Sequence, residues 1–497
     1  METSHIVTVL LLMPTVIHLA YRQVRKFCIR DECQNLPRSE PNTSVRNSLS
    51  FFAFIYNIVF GKSEDHYLAS TCKLFKQLGS TFSTKSCVWQ TIFTSDGKNI
   101  KHMLATSFDD FELPQLRVHA ISTLLGTGIF SINGASWSQA RAMLRPCFAK
   151  RDKVEITLIL EDHFQSFLHH VPRDGTEVDL QPLYFALTMD FATQFLTAKS
   201  SNMLDATKSH AKDWQFFEDY TTCSKEVVKK MCLGPLQIFR FNYSASHARR
   251  RVFQYIDNFI DEALQSTDLT TALPEHSALA KLAGLTSDRK VLRDQMLHLL
   301  VASRDTTASL LCNLFFMLAK KPVMYTRLRQ EVLSVSGDTP PRPEQLKQME
   351  YLRWCVQESL RLHPVIPTNA REAKRDTTLP VGGGSDGRNV LFVKKGTLIV
   401  YNVFAMHRDE AVFGANPEEF EPERWAGLRP GWGYLPFNGG PRICLGQQIA
   451  QLEAHYLVAR MAQTFETMVS QDSRDWEELF ALATTCKHGV KVKMDWA

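Results

Sequence analysis

The chain opens with an apolar stretch, Ile6 to Tyr21 (IVTVLLLMPTVIHLAY), followed by Arg22, Arg25, Lys26 and Arg30. A spanning helix needs roughly 20 apolar residues, so this run is a little short, and Pro14 and His18 weaken it. No basic segment precedes it and no small-x-small site follows, which favours an uncleaved anchor over a removed signal peptide. The basic flank then keeps the remainder on the cytoplasmic side. A second run, Leu49 to Phe60, is too short to span and reads as a core element or an interfacial patch. Between the two, Asn35 to Asn47 is rich in Pro, Ser and Asn and reads as a hinge. The expected organisation is an anchor at 6–21, a linker at 22–50 and one large domain at 51–497.

From about Ser63 to Ala370 apolar residues recur at spacings of three and four, the helical period. Val252 to Leu264 and Asp294 to Ala319 are the clearest cases. The latter is apolar enough to resemble a membrane span, but His298, Arg304 and Asp305 in its middle argue against lipid. A helix buried through the centre of the domain explains both features. After Ala370 the pattern changes. Gly382, Gly383, Gly384 and Gly387 break the chain, and LFVKKGTLIVY predicts two short strands around Lys395-Gly396. A Pro-rich irregular stretch follows Phe404, then a helix from about Leu445 to Phe465. The prediction is a mainly α fold with a small β region late in the chain.

Composition narrows the class. Hydrophobic residues are 44% and charged residues 22%, which excludes a disordered or collagen-like chain. The formal charge of +5 is too small and too dispersed for nucleic-acid binding. The tightest basic cluster, Arg249 to Arg251, reads as a solvated helix face or a docking surface. The 11 cysteines are scattered without a CxxC pair, so neither a disulfide framework nor a structural zinc site fits. The sequons at Asn42 and Asn242 read as chance matches in a cytoplasmic domain.

One cysteine stands in a special context. Residues 436–450 read PFNGGPRICLGQQIA, with the skeleton Phe437-x-x-Gly440-x-Arg442-x-Cys444-x-Gly446. Glycines and a proline make a tight turn, and Cys444 falls at the start of the next helix. Orphan N–H groups and the positive end of the helix dipole stabilise an anion there. Arg442 adds positive charge or pairs with an anionic cofactor, and Phe437 shields the sulfur from water. The loop is suited to holding a thiolate on a soft metal centre. A structural cysteine and a reactive nucleophile are the alternatives, though no His or Asn constellation supports the nucleophile.

The stretch resembles the haem-binding signature of the cytochromes P-450. That resemblance implies Cys444 as the proximal ligand of the iron of haem b, with Arg442 meeting a propionate. Other motifs extend it. Glu358-Ser359-Leu360-Arg361 puts acid and base on one helical face, by itself an ordinary ion pair. With Phe420-x-Pro422-Glu423-Arg424-Trp425 following, it resembles the family's Glu-x-x-Arg and Pro-x-Arg elements. Glu358, Arg361 and Arg424 are then a structural triad behind the cysteine loop. Trp137-x-x-x-Arg141, otherwise a packed Trp with a snorkelling Arg, is similar to the family's propionate contact, as is Arg371. Ala302 to Thr307 resembles the helix over the distal haem face. Thr306 would donate to dioxygen and Asp305 would relay protons. Ser303 stands where the family usually has Gly.

The resemblance covers nearly the whole chain and implies a monooxygenase at the endoplasmic reticulum membrane. Its electrons would come from NADPH through a P-450 reductase, with cytochrome b5 as a further donor, since no dinucleotide fingerprint is present. The texture of 363–425 and GGPRICLGQQ is similar to the fungal subgroup that hydroxylates n-alkanes and fatty acids, which implies a lipophilic substrate. Tailoring of a polyketide or terpenoid is the second reading. A haem-thiolate isomerase or dehydratase working without O2, and a non-catalytic haem sensor, are the other classes.

Overall fold

The computed structural model describes residues 67–85, 90–149, 152–205, 207–208, 211–265 and 277–497, with the short strand Ser44–Val45. The predicted anchor at 6–21, nearly all of the linker and the 49–60 run lie outside these residues. Among the described residues, no helix is long and apolar enough to cross a membrane.

Eight helices position the site: α1 (Gln115–Leu125), α2 (Gly134–Phe148), α3 (Leu180–Thr197), α4 (Ala211–Leu233), α5 (Tyr243–Gln265), α6 (Arg289–Lys320), α7 (Glu350–Leu362) and α8 (Gln447–Thr464). The fold is mainly α, as the periodicity predicts. Helix α6 contains no Gly or Pro, and Asp288 caps it by accepting from the Lys290 and Val291 N–H groups. Apolar on nearly every side, it runs through the core and packs against α3, α5, α7 and α8. Its buried polar groups have work to do. Asp294 accepts from the Thr127 N–H at 2.8 Å, and His298 Nδ1 accepts from the Phe130 N–H at 3.2 Å. The helix therefore pins loop 126–133, and Gly126, at φ +68°, has no room for a Cβ beside the Asp294 carboxyl. Accepting at Nδ1 requires a neutral imidazole, and burial pushes His298 down to about 3.

The main sheet has six strands: β1 (Ser44–Val45), β2 (Thr81–Lys85), β3 (Gln90–Thr94), β4 (Phe111–Glu112), β5 (Thr368–Ala373) and β6 (Leu398–Asn402), in the order β1-β2-β3-β6-β5-β4. Strands β3 and β6 pair in parallel and β5 runs antiparallel to β6. The two strands predicted around Lys395-Gly396 both form, but they join different sheets. Asn389–Val393 pairs with Thr377–Gly383, whereas β6 enters the main sheet. Strands β2 and β3 fall in the segment that periodicity assigns to helices. Both are five residues long, too short to interrupt a helical pattern read over longer windows.

The Arg249 to Arg251 run is no free basic stripe. Arg251 pairs with Asp219 at 2.5 Å and Arg249 donates to the Thr123 carbonyl at 3.2 Å. The amide of the Asn242 sequon is bonded to Glu226 at 2.9 Å.

Candidate functional site

The cysteine loop is held by its own backbone. The Cys444 N–H donates to the Phe437 carbonyl at 3.0 Å. Asn438 sits at φ +64°, and its side chain accepts from the Tyr401 hydroxyl at 3.0 Å. Gly440, at φ +67°, leaves the Leu104 carbonyl 1.7 Å from where a Cβ would stand, so no other residue fits there. Phe437 packs half-buried against the main core.

Helix α8 begins at Gln447 with Gly446 as its cap, placing Cys444 just before it. The Cys444 side chain is open to solvent-sized space, yet protein surrounds it closely enough for burial to dominate its chemistry. Together these facts put the sulfur on the wall of a recess. Burial pushes the thiol up, while the Gly446 and Gln447 N–H groups and the Arg141 guanidinium pull it back. The helix start alone therefore does not make the thiolate, contrary to the simple dipole argument. A cation at the sulfur is what would deprotonate it outright. A Cβ at Gly446 would press on the Phe148 ring at 3.3 Å.

Beside the loop lies a cluster of arginines. Arg442 donates to the Ile132 carbonyl at 3.0 Å and to Asn133 at 3.1 Å, and lies 4.3 Å over the Trp137 ring. Arg141 lies 5.9 Å from the same ring and donates to the Ile443 carbonyl at 2.9 Å. Arg371, buried on β5, donates to the Ala370 carbonyl at 2.8 Å. Arg117, on α1, donates to Asn369 at 2.6 Å and keeps a buried Nε without a partner. Burial, then Arg371, Arg117 and Arg141, push Arg442 down to about 9. Burial and Arg371 bring Arg117 to about 10. Among the described residues, none of the four is paired with a carboxylate.

Such a concentration of unneutralised cations calls for a dianion. Haem b brings two carboxylates, a flat apolar body and an iron for the sulfur. The donor set fits it. Sequence reasoning missed Arg117, which has no motif; only its convergence with Arg371 and Arg442 reveals it.

The structure brings Glu358, Arg361 and Arg424 together. Both Glu358 oxygens accept from Arg361, each at 2.8 Å. Arg424 Nε and the Trp425 indole also donate to the carboxylate, at 2.8 and 2.9 Å. Arg361 further donates to the His407 and Pro417 carbonyls at 2.9 and 2.6 Å. His407, unforeseen in the sequence, carries the link forward. It accepts at Nε2 from the Leu435 N–H at 2.9 Å, so Nδ1 donates to the Arg361 carbonyl at 3.2 Å. Burial holds it neutral, near 3. The chain of contacts runs from α7 to the entrance of the cysteine loop.

In the middle of α6, Ala302, Ser303 and Thr306 are only half-buried, and their i, i+1, i+4 spacing makes one open face. Ser303 donates back to the Leu299 carbonyl at 2.9 Å and Thr306 to the Ala302 carbonyl at 2.7 Å. Ser303 thus adds a satisfied hydroxyl to the groove. Asp305 is not bonded to Thr306. It is held by Arg304 at 2.8 Å and by the Tyr220 hydroxyl at 3.2 Å. The next residue, Thr307, donates to Glu453 on α8 at 3.2 Å, tying α6 to the helix that follows Cys444. Burial pushes Glu453 up to about 8.

Residues 48–493 match the family model described as Cytochrome P450. The chain is 40% identical to cytochrome P450 monooxygenase himC of Aspergillus japonicus over 89% of this chain and 81% of that protein. It is 37% identical to cytochrome P450 52A13 of Debaryomyces hansenii over 88% of each. It is 42% identical to cytochrome P450 52A10 of Candida maltosa over 78% of each.

Proposed function

The chain belongs to the cytochrome P450 family and is a haem b-dependent monooxygenase, and we propose that it hydroxylates an aliphatic C–H bond of a lipophilic substrate. One atom of O2 enters that bond; the other leaves as water, with two electrons from NADPH through a flavoprotein reductase. A thiolate-held haem iron supplies the electron push for O–O cleavage.

In this reading Cys444 would hold the iron through its sulfur. Arg442, Arg117, Arg371 and the Trp137–Arg141 pair would hold the propionates. Glu358, Arg361 and Arg424 brace the loop from behind. Thr306 would offer its hydroxyl on the open face of α6, and Asp305 would resupply the proton. The observation that carries the substrate class is the open face of α6. Ala302 and the back-bonded hydroxyls of Ser303 and Thr306 offer no charge to a ligand. Phe130, half-buried, stacks on His298 one turn earlier with centroids 5.4 Å apart.

Co-expression with a reductase, and product analysis against fatty acids and extracts of the producing organism, tests the assignment. NADPH-dependent hydroxylated product supports it; turnover of a peroxide without NADPH would indicate the isomerase class instead. Thr306→Ala is expected to bind haem normally, keep consuming NADPH and lose about tenfold in product per NADPH. The shortfall should appear as hydrogen peroxide. Undiminished coupling would remove Thr306 from proton delivery.

The membrane assignment, to the endoplasmic reticulum, rests on the 6–21 run and on a surface patch. Ile238, Phe239, Phe241 and Tyr243 are 61%, 74%, 90% and 84% exposed. Such clustering is unusual for a solvated turn. Exposed Lys225, Lys229 and Arg250 on the adjoining helices suit anionic headgroups. Phe241→Trp should add emission that brominated acyl chains quench almost fully. Emission indifferent to the bromine would place the turn in water.

A further inference from the structure

The Asp305 carboxyl is committed at both oxygens. Oδ1 accepts from the Arg304 guanidinium and Oδ2 from the Tyr220 hydroxyl. All three residues are buried. Arg304 is wrapped in rings: its guanidinium lies 4.5 Å from the Phe217 ring centroid, 5.1 Å from Tyr220 and 5.2 Å from Phe185. Its Nε is buried without a partner. Packing α4 onto α6 does not need this arrangement, because apolar side chains of similar volume hold helices together without desolvating an ion pair. The cluster spends stability to keep one carboxyl in one place.

Tyr220 reaches Asp305 from another element. It sits on α4, 85 residues earlier in the chain, and α4 continues into the exposed apolar turn at 238–243. Thr306, the neighbour that needs the proton, is meanwhile bonded to the Ala302 carbonyl. We propose that Tyr220 is a positioning residue for proton delivery: its hydroxyl holds the Asp305 carboxyl on α4, and the seating of α4 decides when that carboxyl is released toward Thr306. The proposal rests on the reading of Asp305 and Thr306 as the relay. While the Tyr220 bond is made, both oxygens are engaged. When α4 shifts, Oδ2 is freed and Arg304 still holds Oδ1, so the carboxyl can turn about its remaining bond. The phenol keeps its own proton throughout; the transferred proton enters from solvent, rests on Asp305 and passes on through the Thr306 hydroxyl. A ligand that moves α4 would thereby switch proton supply on.

The groups bonded to the carboxyl are Arg304 on α6 and Tyr220 on α4, and the uncharged rings of Phe217 on α4 and Phe185 on α3 cover the Arg304 guanidinium. Burial pushes Asp305 up, and Arg304 and the Tyr220 bond pull it down. Losing the phenol hydroxyl therefore moves the carboxyl further up. Tyr220→Phe keeps the ring against Arg304 and is conservative for folding.

The experiment is an infrared titration of the holoenzyme carboxyl band, assigned by subtraction of Asp305→Asn, alongside product and peroxide per NADPH across pH. In Tyr220→Phe the carboxyl midpoint should rise by about one pH unit. The pH at which coupling falls by half should rise with it. Peroxide formed without substrate should increase roughly threefold, because the carboxyl is no longer held back. A midpoint and coupling profile like those of the wild type, even with lowered stability, would reduce Tyr220 to a packing residue and overturn the proposal. A moved midpoint with unmoved coupling would overturn it too. Normal coupling in Asp305→Asn would instead sink the underlying relay, a separate outcome.

Discussion

Cys444→Ala is expected to abolish the thiolate-type absorption of the reduced CO complex and reduce hydroxylation to background. The effect is chemical, because the bonds that close the turn do not involve the sulfur. The turn is closed by the Cys444 backbone N–H on the Phe437 carbonyl, by Gly440 against Leu104 and by Arg442 on the Ile132 carbonyl. Alanine preserves all three. The variant should therefore fold and unfold like the wild type in its haem-free form. What it lacks is the sulfur on the wall of the recess, the soft ligand proposed to hold the iron. Circular dichroism checks the fold and the CO difference spectrum checks the ligand. A wild-type spectrum from Cys444→Ala would mean that another group holds the iron.

The second large effect falls on stability. Glu358→Ala should destabilise the domain by about 3–5 kcal/mol, the cost of stranding a buried charge network. The Glu358 carboxylate answers two guanidinium groups, an indole and the Glu421 N–H. Without it, Arg361, which has no solvent exposure, keeps only carbonyl partners. Domains hold about 5–15 kcal/mol in total, so the loss is a large share. Because His407 passes the constraint on to Leu435, haem retention should fall with stability. Arg361→Lys should be nearly as damaging, since a point charge cannot reproduce the guanidinium's several fixed contacts. Urea unfolding and haem content after gel filtration measure both. A change below about 1 kcal/mol with full haem retention would show that the network does not support the loop.

The sequence made some parts legible because their causes are local. The left-handed glycine of the cysteine loop, the Pro and Arg beside it, and the Cys at a helix start lie within a dozen residues. Glu358 and Arg361 are joined by helical geometry alone. The long helix α6 announces itself by an apolar run free of Gly and Pro, and its interior polar residues by their contrast with that run.

Other parts depended on which surfaces meet. The arginine cluster draws on α1, α2, β5 and the loop, and spacing along the chain says nothing of four guanidinium groups converging. Arg117 looks like any helical arginine until Asn369, 252 residues away, accepts from it. His407 is one histidine among 16 until Leu435 and Arg361 claim its two nitrogens. Asp305 and Thr306 are adjacent in sequence, yet tertiary packing separates their bonds and gives the acid to Tyr220. Strand pairing follows the same rule: LFVKKGTLIVY predicts two strands, and only the folded chain assigns them to different sheets. By itself, the sequence determined the helices, the thiol at its turn and the braced acid–base pair, because backbone sterics and i, i+3 geometry act over short distances. Only the tertiary structure decided where charge accumulates and which partner each buried polar group takes, because those energies depend on neighbours hundreds of residues apart.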